Sequence, residues 1–222
     1  MIMAEQRKFW EEFYKDSLNS AGTRYAYQLF SQKSGKVLEV GCGDLCYNGI
    51  DGDYYVGIDI SHNALKKAKE ALTYIKRPAS VVVASATHLP FKDNSFDLVT
   101  SIETITLLGS DFYTALQEMK RVSKDKLVFT LSHIDIAKAH NPDKEFIKKE
   151  DHFLIKHSPS GEKAFFTKEN IESVLKKLEL KIETLEVLTE YDVIYLGVGS
   201  PVCSFDCEFP NVNSRIFVDA RK

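Results

Sequence analysis

The stretch VLEVGCGDLCYNG, residues 37–49, decides the reading of this chain. Val37, Leu38 and Val40 form a short apolar run that stops at Gly41-Cys42-Gly43. A run of this kind, closed by glycine, fits a strand buried on both faces. Gly41 and Gly43 permit a tight turn and leave bare backbone for a ligand to approach. Glu39 lies inside the strand end, where a carboxylate can accept a hydrogen bond from a ligand donor such as an α-amino group. Twenty residues beyond Glu39, Asp59 stands at the tip of a second run, 54–60. A carboxylate there can accept bonds from both hydroxyls of a ribose, as acidic residues do in dinucleotide folds.

Outward from this segment, apolar runs alternate with helical patterns. Residues 5–31 read as helical and aromatic, with Phe9, Trp10, Phe13 and Tyr14 about one turn apart. Ser61 suits the N-cap of a helix over 62–76, which Arg77-Pro78 closes. Strands are expected at 81–84, 96–101 and 126–132, with a helix over 111–123 between the last two. Thr167 caps a later helix whose Ile171, Val174, Leu175 and Leu178 line one face, and 180–188 and 216–220 read as strands. Five apolar strands separated by helix-length connections imply crossovers, hence an α/β fold with a parallel, doubly wound sheet covered by helices on both faces. Ligands of such sheets bind at the carboxyl ends of the strands, near the point where strand order reverses.

Composition narrows the class without naming the chemistry. The 222 residues include 29 Lys plus Arg against 32 Asp plus Glu, a formal charge of −3 that argues against a broad nucleic-acid-binding face. No run approaches the length of a membrane-spanning helix, and MIMAEQRKFW carries charges where a secretion signal has its apolar stretch. Four cysteines are too few for a disulfide scaffold, so a cytoplasmic location is expected. Cys42/Cys46 and Cys203/Cys207 are spaced more loosely than zinc knuckles, and no metal is expected.

The motif around Glu39 and Asp59 resembles that of the class I S-adenosylmethionine-dependent methyltransferases, in particular the small-molecule branch that includes quinone-biosynthesis enzymes. Three further segments are similar to that family: SATHLPFKDNSFDLVTS at 85–101, ALQEMKRVSKDKLVFTLSH at 115–133 and AFFTKENIESVLKKLELKIETLEV at 164–187. The resemblance implies a Rossmann-like, doubly wound, mostly parallel seven-stranded sheet whose antiparallel last strand is 216–220. It implies one methyltransferase domain over 1–222, with 1–34 as an N-terminal helical lid and 135–166 and 191–214 as acceptor-side insertions. S-adenosylmethionine is the implied cofactor and S-adenosylhomocysteine its product. By the same resemblance Glu39, Gly41, Cys42 and Gly43 hold the methionine end and Asp59 the ribose. Ile60, Ala86 and Thr87 border the adenine, and Ser101 lies beside the cofactor. Trp10 and Tyr14, one helical turn apart, are expected on their own spacing to fold over it as an aromatic lid. The chain departs from the family at Leu45, where a third glycine is common, and at Ser85, where an acidic residue is common. Lys124-Asp125-Lys126 replaces a Pro-Gly-Gly turn, a change expected to affect turn geometry alone.

Methyl displacement requires alignment of donor and acceptor and exclusion of water, with a base only where the acceptor must lose a proton. His133 and Glu103 follow strand ends on the ligand side and are the candidate catalytic groups; His152 and His157 flank a hairpin over 152–166 and are expected to face solvent. A small-molecule acceptor is expected, with a tRNA or a protein left open and the oligomeric state unassigned. The competing readings are a nicotinamide-dependent oxidoreductase, whose fingerprint wants a third glycine at Cys46, and a non-catalytic binding module on the same fold. Replacing 137–163 by a short linker is expected to spare cofactor binding and abolish transfer, because the segment is too long for a simple connection.

Overall fold

The computed structural model describes residues 2–16, 34–44, 52–73, 78–157, 161–188 and 215–222. Its first sheet strand, β1 (Ser34–Val40), has Val37, Leu38 and Val40 fully buried, as the continuous apolar run requires. On one side β1 pairs in parallel with β2 (Gly52–Asp59), which pairs with β3 (Ala79–Val83). On the other side it pairs with β4 (Phe96–Ser101), followed by β5 (Ser123–Ser132). β10 (Arg215–Arg221) lies antiparallel between β5 and β9 (Lys181–Leu188). The order β3-β2-β1-β4-β5-β10-β9 is therefore seven strands with one reversed, the doubly wound α/β sheet expected. Strand order reverses between β1 and β4, which places the ligand end of the sheet at the C-termini of β1, β2 and β4.

The helices follow from their caps and stripes. In α2 (His62–Leu72) the Ser61 hydroxyl accepts the Ala64 N–H at 3.1 Å, and Ala64, Leu65 and Ala68 face the sheet. α3 (Phe112–Val122) buries Phe112, Ala115, Leu116, Met119 and Val122. Thr167 and Asn170 form a reciprocal capping box at the start of α5 (Lys168–Lys177). The N-terminal helix α1 runs over Ile2–Asp16; the remainder of the expected 5–31 helix lies outside the described residues, as do Leu45, Cys46, Cys203, Cys207 and the 191–214 insertion.

Three expectations need correction. Lys124-Asp125-Lys126 is not a mere turn: β5 begins at Ser123, and these residues pair by charge with β10 and β4. Lys126 meets Asp219 at 3.1 Å, Asp125 pairs with Arg221, and Lys124 meets Asp97 at 2.7 Å. His152 does not face solvent. Its Nδ1 lies 2.8 Å from Asp151 Oδ1, and its ring packs edge-on against Phe112 at 5.0 Å.

The 137–163 segment, finally, is no removable cover. It takes in most of α4 (Ile134–His140), the antiparallel strands β6 (Ile147–Lys148) and β7 (Phe153–His157) and most of β8 (Gly161–Phe165), with the expected hairpin as β7–β8. Leu154 and Ala164 join the main core, while Ile134, Ala137, Ile155 and Phe165 form a second cluster with Phe146 and Phe153. A flexible linker would expose both, so its effect on transfer would report unfolding.

Arg121 fixes the connection that leads into β4. Its guanidinium donates to the carbonyls of Leu89 (2.9 Å) and Phe91 (2.7 Å) and to Asp93 and Glu118 (2.7–2.8 Å). Arg121→Met keeps the stem but strands these acceptors, and it is expected to cost about 2 kcal/mol, read as a lowered urea midpoint at constant slope.

Candidate active site

The turn after β1 is built on one carbonyl. Ile58 O accepts the N–H groups of both Gly41 and Cys42 at 2.8 Å, which folds the chain sharply over the end of β2. Gly41 and Gly43 adopt φ of +76° and +54°, a region costly for side-chain-bearing residues. A Cβ on Gly41 would collide with Thr104, whose hydroxyl lies 3.3 Å from the Gly41 carbonyl. The first glycine is thus required by the protein itself, whatever ligand approaches. At Gly43 a Cβ would come within 2.6 Å of the Tyr14 hydroxyl, which α1 lays over the turn.

Two carboxylates flank this turn. Glu39 is fully buried at the end of β1 and accepts a hydrogen bond from the Tyr55 hydroxyl of β2. Asp59, closing β2, accepts the Gly43 N–H at 3.0 Å on Oδ2 and the Ser61 N–H at 2.9 Å on Oδ1. Burial pushes the Asp59 carboxyl above its ordinary value, although these backbone donors favour the ionised form. Cys42 is buried with Tyr55, Leu65 and Ala68; its thiol donates to Gly43 O at 3.7 Å, and burial pushes that thiol up.

The remaining expected residues gather at the same sheet end. Ser101, fully buried, donates from its hydroxyl to Val40 O at 2.9 Å and so ties β4 to β1. Ile60 follows Asp59, half-buried. Beyond β3, the Thr87 N–H donates to Ser85 Oγ at 3.2 Å, the two hydroxyls lie 2.8 Å apart, and Ala86 is buried between them. Trp10 and Tyr14 sit one turn apart on α1 with ring centroids 6.1 Å apart.

Glu103, just past β4, has φ of +58°, unusual for a glutamate. Thr130 of β5 holds it there: the Glu103 N–H donates to Thr130 Oγ1 at 3.0 Å, and that hydroxyl lies 3.3 Å from Glu103 Oε1. His133 occupies the N-cap of α4, where its Nδ1 accepts the Asp135 N–H at 3.3 Å. Tyr55, Thr104 and Thr130 were not legible as site residues. Each sits in an ordinary strand or turn, and its role depends on cross-strand register. Among the described residues, no group of three or more His, Cys, Asp or Glu is arranged to hold a metal ion.

Residues 38–129 match the family described as a methyltransferase domain. A demethylmenaquinone methyltransferase of Staphylococcus epidermidis is 31% identical over 131 residues, which are 56% of this chain and 48% of that protein. An uncharacterized Methanocaldococcus jannaschii protein is 31% identical over 140 residues, 61% of this chain and 54% of its own length. The chain thus spans about half the length of these curated relatives. Among solved structures, an S-adenosylmethionine-dependent methyltransferase of Methanosarcina mazei aligns with a TM-score of 0.62 at 18% identity, over 90% of this chain and 98% of that one. The Burkholderia thailandensis 1,6-didemethyltoxoflavin-N1-methyltransferase, crystallised with 1,6-didemethyltoxoflavin and S-adenosylhomocysteine, aligns with a TM-score of 0.69 at 11% identity, covering 99% of this chain and 88% of its own. Residues 38–129 thus match the methyltransferase-domain family, and the chain shares the fold of the Methanosarcina mazei S-adenosylmethionine-dependent methyltransferase.

Proposed function

We propose that this chain transfers a methyl group from S-adenosylmethionine to a small-molecule acceptor. The observation that carries the reading is the pair Glu39 and Asp59, held on neighbouring parallel strand ends around the Gly41–Gly43 turn. The donor set suits the cofactor's two ends: ionised carboxylates only accept, and they are offered here to an ammonium and to a ribose diol. Cys42 contributes backbone, Ile60, Ala86 and Thr87 flank the adenine, and Trp10 and Tyr14 cover it. Ser101 braces the wall beside it, since its hydroxyl is already committed to Val40.

When bound, S-adenosylmethionine supplies a methyl group on a positively charged sulfur, open to in-line displacement. The chain's task is to hold donor and acceptor in line and keep water out. Where the acceptor carries a proton, Glu103 is the better placed to take it. His133 accepts at Nδ1, so in its neutral form the proton sits on Nε2, which then donates. In this reading His133 orients the acceptor while Glu103, braced by Thr130, removes its proton. The insertion over 135–166 walls the acceptor side. A small acceptor is supported by the demethylmenaquinone methyltransferase relatives and by the small heterocycle in the Burkholderia enzyme.

Asp59→Asn is expected to weaken S-adenosylhomocysteine binding about tenfold by calorimetry. The amide keeps only one of the two oxygens that accept from Gly43 and Ser61, so the urea midpoint is measured alongside; unchanged affinity in the folded variant would remove Asp59 from the site. For a proton-bearing acceptor, Glu103→Gln should lower kcat by about 10²- to 10⁴-fold with cofactor affinity unaltered. His133→Asn, which keeps a good helix cap, separates roles: lost turnover at unchanged stability marks an orienting group, whereas full turnover leaves only the cap. With labelled S-adenosylmethionine and a cell extract, label should enter the small-molecule fraction. Label confined to RNA or protein would overturn the acceptor class.

A further inference from the structure

The lid helix α1 is held in an unusual way. Among its residues with described side chains, Gln6 alone is buried, while Phe9, Trp10, Phe13 and Tyr14 are half-buried. Polar ties therefore supplement the packing of this aromatic face. At one end Gln6 Nε2 donates to Leu107 O at 3.2 Å. At the other, the Glu11 carboxylate sits on the N-terminus of α2. Its Oε1 accepts the His62 N–H at 2.8 Å, and its Oε2 accepts the Asn63 N–H at 2.9 Å and the Ser61 hydroxyl at 3.2 Å. Asn63 Nδ2 returns a bond to Glu11 O at 2.8 Å.

First-turn N–H groups have no partner within their own helix, and the helix dipole favours an anion there. α2 has no acidic residue in its own first turn, so Glu11 of α1 fills that need. Burial raises the Glu11 carboxyl, but the Asn63, His62 and Ser61 donors outweigh it and hold the group below its ordinary value. Ser61 joins this contact to the ribose carboxylate: its N–H goes to Asp59 and its hydroxyl to Glu11. Trp10 and Tyr14 flank Glu11 on the same helix, with Tyr14 over Gly43.

We propose that Glu11 is the latch that positions α1 over the glycine turn, and that cofactor exchange requires its release from the N-terminus of α2. The proposal rests on the reading that the turn holds S-adenosylmethionine. It also reaches further, because it assigns a positioning role to a residue whose carboxylate is committed to α2.

Trp10 is the single tryptophan of the chain and lies beside the latch, so it reports lid position directly. In ligand-free protein, Glu11→Ala should make Trp10 emission more quenchable by acrylamide and shift it to the red, with a cooperative thermal transition whose midpoint falls only modestly, as for a lost helix cap. Glu11→Gln, which keeps one accepting oxygen, should fall between. His62→Pro attacks the contact from the other side: it deletes one donor at the first helical position, where proline is well tolerated and the extended Ser61 accommodates it. In stopped flow, Glu11→Ala should release S-adenosylhomocysteine about tenfold faster, the loss expected for about 1.4 kcal/mol. Unchanged quenching in both Glu11→Ala and His62→Pro overturns the latch. Greater quenching with an unchanged release rate overturns its control of exchange. Failure of wild-type protein to bind S-adenosylhomocysteine would defeat the cofactor reading instead, and the quenching comparison would still decide whether Glu11 holds the helix.

Discussion

One carboxylate, that of Asp59, joins parts of the chain that the strand order would otherwise leave independent. It accepts from the turn after β1 and from Ser61, the N-cap residue of α2, so the end of β1 and the start of α2 are fixed relative to each other. The energetic cost of burying that charge is visible in its raised pKa, and backbone donors offset part of it. A ligand that engages Asp59 meets a group already oriented, which spares the entropy of ordering it. The Ile58 carbonyl and the Thr104 hydroxyl complete the frame around Gly41.

The sheet was legible in the sequence because a parallel strand buried on both faces must be apolar throughout. Val37–Val40, the β2 run and Phe96–Ser101 approach this, with Glu39, Asp59 and Asp97 as charged exceptions, and β4 has the bounds expected. The caps at Ser61 and Thr167 were legible as well, since their side chains act within three residues. Strand bounds were less so: β5 starts three residues before the expected 126, because its opening residues are charged and hold their place through β10 and Asp97. Charge of this kind reads locally as a solvated turn. His152 illustrates the same limit. A histidine beside a hairpin reads as exposed, and only the fold brings Phe112 and Phe166 against its ring.

At the site, Glu39, Asp59 and the glycines could be read because spacing and residue type alone suggest their chemistry. The groups that orient them could not. Tyr55 reaches Glu39 through β1–β2 register, Thr130 reaches Glu103 across β4–β5, and Glu11 meets α2 only after the lid is laid down. The insertion carries a related lesson. Its apolar residues suggested a pocket wall, yet Leu154 and Ala164 complete the main core, so a stability role accounts for them without a ligand.

The position of β10 bears on how the molecule comes into being. This strand fills the gap between β5 and β9, pairing with both along its length. As the chain emerges from the ribosome, β1 to β5 can zip into a sheet early, but β5 then presents an open edge and β9 has no neighbour. Neither edge closes until residues 215–221 arrive, and an open edge of this sort invites pairing with another nascent chain. Synthesis that stalls shortly before Arg215 would therefore leave a species with almost the whole core and a sticky flank, a clear substrate for chaperones.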